Sequence, residues 1–189
     1  DSAYIVMEYE VGQRLKRWVP HQAPLTREAL LSIVHPLLDG LDAVHQTGFL
    51  HRDIKPDNIY VRADGTPVLL DFGAARRVSS DSAMTNIISP GFAPFEQYHS
   101  QGKQGAWTDI YSLGAVMYWM TTGEKPTESA ARVAQDSMPP ASSLADAGVF
   151  GAKLLQAIDW ALLPDENRRP QSVALFRAAL VEAAKPQAN

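Results

Sequence analysis

Asp53, Asn58 and Asp71 are the residues of this chain whose types and spacing could do chemistry. Asp53 and Asn58 stand in the run His51-Arg52-Asp53-Ile54-Lys55-Pro56-Asp57-Asn58, and Asp71 opens Asp71-Phe72-Gly73 thirteen residues later. Two carboxylates and a carboxamide thus fall around one short predicted hairpin. Such a set suits phosphoryl transfer: one group orients an attacking hydroxyl and two hard oxygen donors hold Mg²⁺. Lys55 adds a cation that could neutralise a phosphate.

These residues need elements to position them. Tyr4 to Tyr9 reads as a short buried strand, and Val11 to Val19 as a brief helix stopped by Pro20. Thr26 is a predicted N-cap for a helix in which Leu30, Leu31, Val34, Leu37, Leu38, Leu41 and Val44 recur at helical spacing until Gly48. That helix delivers the chain to His51. Ile59–Val61 and Val68–Leu70 flank Ala63-Asp64-Gly65-Thr66, whose Asp-Gly pair signals a hairpin. Residues 71 to 100 lack periodicity and read as one long loop. Ile110 to Met120 is apolar nearly all round, as in a helix buried at a domain centre. Two amphipathic helices follow, near Phe150–Leu163 and Gln171–Ala184, and Ala183 onward reads as a tail. The expected fold class is mainly α with a few short strands.

Composition limits the remaining classes. A chain of 189 residues, 46% hydrophobic, can bury one sizeable core. A net charge of −4 gives no electrostatic reason to expect nucleic acid or an anionic membrane as partner. With no cysteine there are no disulfides or thiolate metal sites. No apolar run reaches the roughly 20 residues that span a bilayer. His21, His35, His45 and His99 lack metal-ligand spacing and read as helix-surface or packed residues. Trp18, Trp107, Trp119 and Trp160 read as core.

The chain resembles, over essentially all of its length, the C-terminal lobe of a eukaryotic-like serine/threonine protein kinase of the kind also found in bacteria. The His51–Asn58 motif and Asp71-Phe72-Gly73 carry the resemblance. It implies a mainly α, kinase-like C-lobe with a short catalytic hairpin. Residues 1–10 would be the last N-lobe strand and hinge, and 11–185 the C-lobe. The catalytic loop would be 51–58, the activation segment 71–96, and 186–189 a tail.

The resemblance also implies roles. Asp53 would align the substrate hydroxyl and accept its proton, and Lys55, a feature of Ser/Thr rather than tyrosine kinases, would neutralise the γ-phosphate. Asn58 and Asp71 would be ligands of Mg²⁺ (or Mn²⁺). Met7 would be the gatekeeper, with the Glu8 carbonyl and Glu10 amide meeting the adenine of ATP. Tyr60 falls where the family has an aliphatic residue or Met beneath the base, and could stack on it or crowd it. Arg52 suggests regulation by a phosphate on the activation segment, where Ser79, Ser80, Ser82 and Thr85 are candidate acceptors. Ser89 matches the substrate-loop threonine. Glu96, in Pro94-Phe95-Glu96 where the family has Ala-Pro-Glu, would form a buried ion pair with Arg169. Asp109 would support the catalytic loop.

The implied function is transfer of the ATP γ-phosphoryl group to Ser or Thr of protein substrates, in the cytoplasm or beside a membrane anchor elsewhere in the protein. These residues hold no glycine-rich phosphate loop and no strand lysine; their lysines are Lys16, Lys55, Lys103, Lys125, Lys153 and Lys185. Alone they are expected to be inactive, and to self-associate through an exposed surface at the first strand. The alternative is a non-catalytic, kinase-like binding or scaffolding module.

Overall fold

The computed structural model describes residues 10–72, 76–77, 88–99 and 102–181. The strand expected at Tyr4–Tyr9 and the tail after Ala183 lie outside these residues.

The helix expected at Val11–Val19 is two elements. Gly12–Arg14 is strand β1, and helix α1 spans Leu15–His21. The edge offered by the hairpin explains the difference. β1 pairs antiparallel with β3 (Ile59–Arg62), matching Gly12 with Arg62 and Arg14 with Tyr60. Ladder hydrogen bonds to a ready edge outweigh a weak local preference. Pro20 does not stop α1 but lies inside it. In a helix of seven residues it forfeits only one backbone bond.

Helix α2 runs from Arg27 to Gln46, and Thr26 Oγ1 accepts from the Ala29 amide at 3.2 Å as its N-cap. Its apolar stripe, Leu30, Ile33, Val34, Leu37, Leu38 and Leu41, is buried. Gly48 then turns the chain at φ 78°, and β2 (Phe49–Leu50) leads into the His51 loop. The hairpin closes with β4 (Pro67–Leu69), giving a three-stranded antiparallel sheet in the order β1-β3-β4. Gly65 takes φ 87° in the turn, and the Thr66 amide donates to Asp64 Oδ1 at 2.8 Å.

The loop expected at 71–100 contains short regular elements among its described residues. β5 (Arg76–Arg77) pairs with β2, and Phe95–Tyr98 is a 3₁₀ turn. Pairs of two-residue strands leave no periodicity to read.

Helix α3 (Ala106–Thr122) is the centre of the core, buried at every position from Thr108 to Tyr118. Gly123 ends it in a left-handed cap at φ 77°. Short helices α4 (Ser129–Ala134), α5 (Ala141–Leu144) and α6 (Ala147–Phe150) follow, none of them anticipated from sequence. Then come α7 (Ala152–Ala161) and α8 (Val173–Leu180). A Cβ at Gly114 would stand 2.8 Å from that of Ala161, so the glycine lets α3 and α7 approach closely. Among the described residues no helix is long and apolar enough to cross a membrane.

Candidate active site

The His51–Asn58 loop hangs from one buried carboxylate. Asp109, in the first turn of α3 and fully buried, accepts the His51 amide at Oδ2 (2.9 Å) and the Arg52 amide at Oδ1 (2.8 Å). Its place near a helix N-terminus suits its negative charge. To present two successive amides, the backbone at Arg52 adopts φ 72°. Such strain costs on the order of 1–3 kcal/mol, which charge-assisted hydrogen bonds can offset. The Gln97 side-chain amide adds a further tie, with Nε2 donating to the Arg52 carbonyl at 2.7 Å. Arg52 Nε donates to Gln104 Oε1 at 2.6 Å.

Held this way, the loop converges on Asp53, which is only 6% exposed. Lys55 Nζ lies 3.0 and 2.8 Å from its two carboxylate oxygens. Asn58 Nδ2 donates to Asp53 Oδ2 at 2.8 Å and to its main-chain carbonyl at 2.9 Å. Ser89 donates through Oγ to Asp53 Oδ1 at 2.7 Å and accepts from Lys55 Nζ at 3.0 Å. Asp53, Lys55, Asn58 and Ser89 therefore form one hydrogen-bonded cluster.

His51 supports the loop from behind. Its Nε2 lies 3.1 Å from the Leu70 carbonyl, and its Nδ1 faces the Asp53 amide at 3.3 Å. The network needs a neutral ring with the proton on Nε2. Burial lowers the His51 pKa below its usual 6.5, opposed chiefly by the charge of Asp109. The ring packs edge-on against Phe72, with centroids 4.6 Å apart. Next to Phe72, Asp71 is exposed and takes φ 61°, a conformation that Asp tolerates better than most residues.

Asn58 and Asp71 can serve a hard cation. Asn58 spends its amide nitrogen on Asp53, which leaves its carbonyl oxygen to offer, and Asp71 presents a carboxylate. Among the described residues no group of three or more His, Cys, Asp or Glu is placed to hold a metal. Two protein oxygens are still the donor set expected for Mg²⁺ bound mainly through substrate phosphates and water.

Other sequence-predicted residues lie further out. Arg169 Nη1 meets Glu96 Oε1 at 2.8 Å, with both side chains almost wholly buried. Arg169 also donates to the Leu163 and Pro164 carbonyls and lies over the Tyr111 ring. Tyr60 Oη donates to the Glu10 carbonyl at 3.0 Å. Met7, Glu8, Gly73, Ser79, Ser80, Ser82 and Thr85 lie outside the described residues.

Sequence reasoning missed four supports: His45, Gln97, Gln104 and Thr108. His45 Nε2 lies 2.8 Å from Asp109 Oδ2, and Thr108 Oγ1 donates to Glu96 Oε1 at 3.0 Å. His45 carried a signal, since it continues the Leu38–Leu41 face of α2 by one helical turn. The two glutamines carried none.

Comparison with known proteins bears on this site. The protein kinase domain family matches residues 1–179. Serine/threonine-protein kinase PknA of Nostoc is 39% identical over 134 residues, covering 66% of this chain and 23% of that protein. Serine/threonine-protein kinase Pkn1 of Myxococcus xanthus is 33% identical over 189 residues, covering 94% of this chain and 27% of the relative. PknL of Mycobacterium tuberculosis, also a serine/threonine-protein kinase, is 29% identical and is covered over 55% of its length, against 95% of this chain. The chain thus spans from about a quarter to about half of these relatives. A solved structure described as PpkA-294 apo form superposes with a TM-score of 0.78 at 34% identity, covering 92% of this chain and 62% of that one.

Proposed function

This chain belongs to the protein kinase domain family, and we propose that the protein transfers the γ-phosphoryl group of MgATP to Ser or Thr hydroxyls of protein substrates. The convergence of Lys55, Asn58 and Ser89 on Asp53 carries the reading. A decayed binding module has no need to keep these groups together, which disfavours the scaffolding alternative.

The chemistry follows from the geometry. The substrate hydroxyl donates to the Asp53 carboxylate, which aims its oxygen at the γ-phosphorus. An O–P bond forms to that oxygen, the bond from the γ-phosphorus to the bridging oxygen breaks, and ADP leaves. The hydroxyl proton passes to Asp53. A carboxylate suffices because the transition state is loose and asks for orientation more than basicity. Lys55, anchored by Asp53 and Ser89, would neutralise charge on the transferring group. Asn58 and Asp71 would hold Mg²⁺, which when bound neutralises phosphate charge. On the nucleotide side the reading places Met7 as gatekeeper, Glu8 and Glu10 at the adenine edge, and Tyr60 beneath the base.

Two further parts of the reading are proposals of the same kind. These 189 residues by themselves are inactive, because they hold no glycine-rich loop over the phosphates and no strand lysine. They also self-associate through the surface at the expected first strand, Tyr4–Tyr9, which lies outside the described residues and leads into β1. In support, β1 pairs on one side only among the described residues, and Val11 beside it is 65% exposed. Light scattering at tens of micromolar tests this, and a clean monomer would refute it.

The test of the main reading is radiolabel transfer by the full-length protein to a generic protein substrate. Asp53→Asn keeps the shape of the side chain and removes its charge. A loss of several orders of magnitude is expected. Wild-type activity in the variant would remove Asp53 from this role.

A further inference from the structure

Two side chains of β3 converge on one residue across the sheet. Tyr60 Oη donates to the main-chain carbonyl of Glu10 at 3.0 Å, and Arg62 Nη2 meets the Glu10 carboxylate at 2.7 Å. Tyr60 and Arg62 alternate with the buried Ile59 and Val61, so they share the outward face of the strand. Glu10 is therefore held twice, by its backbone and by its side chain. β1 makes room for this. A Cβ at Gly12 would stand 2.9 Å from the Tyr60 ring and 2.8 Å from the Arg62 Cα, so any residue but glycine would push the strands apart.

We propose that Tyr60 and Arg62 form a latch that fixes Glu10 in the conformation that receives the nucleotide, which makes Tyr60 a positioning residue for MgATP. The inference rests on the nucleotide reading above and says how this chain serves it. An aliphatic residue at position 60 could offer a surface to the base but no hydrogen bond to the backbone. The phenol hydroxyl restrains the Glu10 peptide, and the ion pair restrains the rest of the residue. The ion pair is about one-third exposed on each side and would be weak alone. Joined to the hydroxyl it limits the conformations open to one residue. Apparent affinity falls in proportion to the fraction of molecules that are competent to bind. Releasing the latch therefore weakens nucleotide binding, while the Asp53 cluster, which neither side chain touches, keeps its geometry.

The experiment compares the full-length protein with Tyr60→Phe, Arg62→Gln and the double variant. Tyr60→Phe deletes one oxygen and keeps the ring, and Arg62→Gln changes a partly exposed site. Three quantities are read: hydrogen exchange over residues 9–14 without nucleotide, the Kd for MgADP by calorimetry, and KM against kcat. Each single variant is expected to speed exchange at Glu10 and its neighbours. The Kd and the KM for MgATP should rise about threefold to tenfold, with a smaller change in kcat. The double variant should add little to either single one, because both ties act on one residue. Unchanged exchange and Kd in Tyr60→Phe, with normal binding by wild type, would overturn the latch and leave the kinase reading standing. A wild type that binds neither MgADP nor MgATP would overturn the nucleotide reading and the latch's role with it. Faster exchange with an unchanged Kd would show a structural tie and refute the positioning role.

Discussion

Ser89 Oγ lies 2.7 Å from Asp53 Oδ1, although 36 residues separate the two in sequence. Lys55 Nζ closes the triangle at 3.0 Å from the serine oxygen and 2.8 Å from Asp53 Oδ2. The hydroxyl thus ties Ser89 to both Asp53 and Lys55 of the His51–Asn58 loop. A hydroxyl held this way restrains the orientation of the Asp53 carboxylate.

Ser89→Ala is expected to lower kcat by about tenfold or more, because a misoriented carboxylate costs rate steeply. The melting temperature should stay near wild type, since the site is only half-buried. Ser89→Thr keeps the hydroxyl and should restore most of the activity. Steady-state kinetics on the full-length protein decides. Equal activity of the Ala and Thr variants would show that the hydroxyl does not matter.

The sequence was most legible where a local pattern and a distant partner agreed. The α2 stripe and its Thr26 cap, the Asp64-Gly65 turn and the buried α3 all follow from periodicity or turn chemistry that the tertiary structure reinforces. At Gly12–Arg14 the pattern failed because the decisive partner, Arg62 to Tyr60, lies about fifty residues away. Helices α4 to α6 were illegible for another reason. Each is only four to six residues long, too short for a helical period to emerge. In the site, residue types that rarely occur together by chance were readable, as in the Asp53 and Asn58 motif. The supports were not. Gln97 and Gln104 act through single hydrogen bonds to Arg52, and a lone glutamine announces nothing.

His51 gives the structure a pH dependence whose sign is fixed. Its folded pKa lies below 6.5, so the folded state binds fewer protons there than the unfolded chain. The stability contributed by the neutral ring is fully present above pH 6.5. It is lost as pH falls through 6.5 towards the lower folded value. A proton on Nδ1 would also turn an acceptor for the Asp53 amide into a second donor. His35 is shifted the same way, first by burial and then by Arg177, and adds to the slope. Melting temperature should fall on acidification below pH 6.5, and less steeply in His51→Gln. Parallel profiles for wild type and His51→Gln would assign the dependence to other groups.

Arg169 and Glu96 make the strongest stability prediction. The guanidinium spends Nη1 on Glu96, Nε on the Leu163 carbonyl and Nη2 on the Pro164 carbonyl. Thr108 also donates to Glu96 Oε1, while Glu96 Oε2 is buried without a hydrogen-bond partner among the described residues. The carboxylate therefore depends on Arg169 for most of its compensation. Arg169→Ala removes an opposite charge in contact with it and leaves two carbonyls unpaired, so a loss of about 3–5 kcal/mol is expected. Arg169→Lys keeps the charge but cannot reproduce the planar fork, and should fall between the two. Glu96→Gln tests the pair from the other side. It removes the buried negative charge but keeps an oxygen for Arg169 and Thr108, so it should cost less than Arg169→Ala. Denaturant unfolding of the three variants gives the order. If Arg169→Ala unfolds at the wild-type midpoint, the ion pair is not what secures the Phe95–Tyr98 turn to the end of α7.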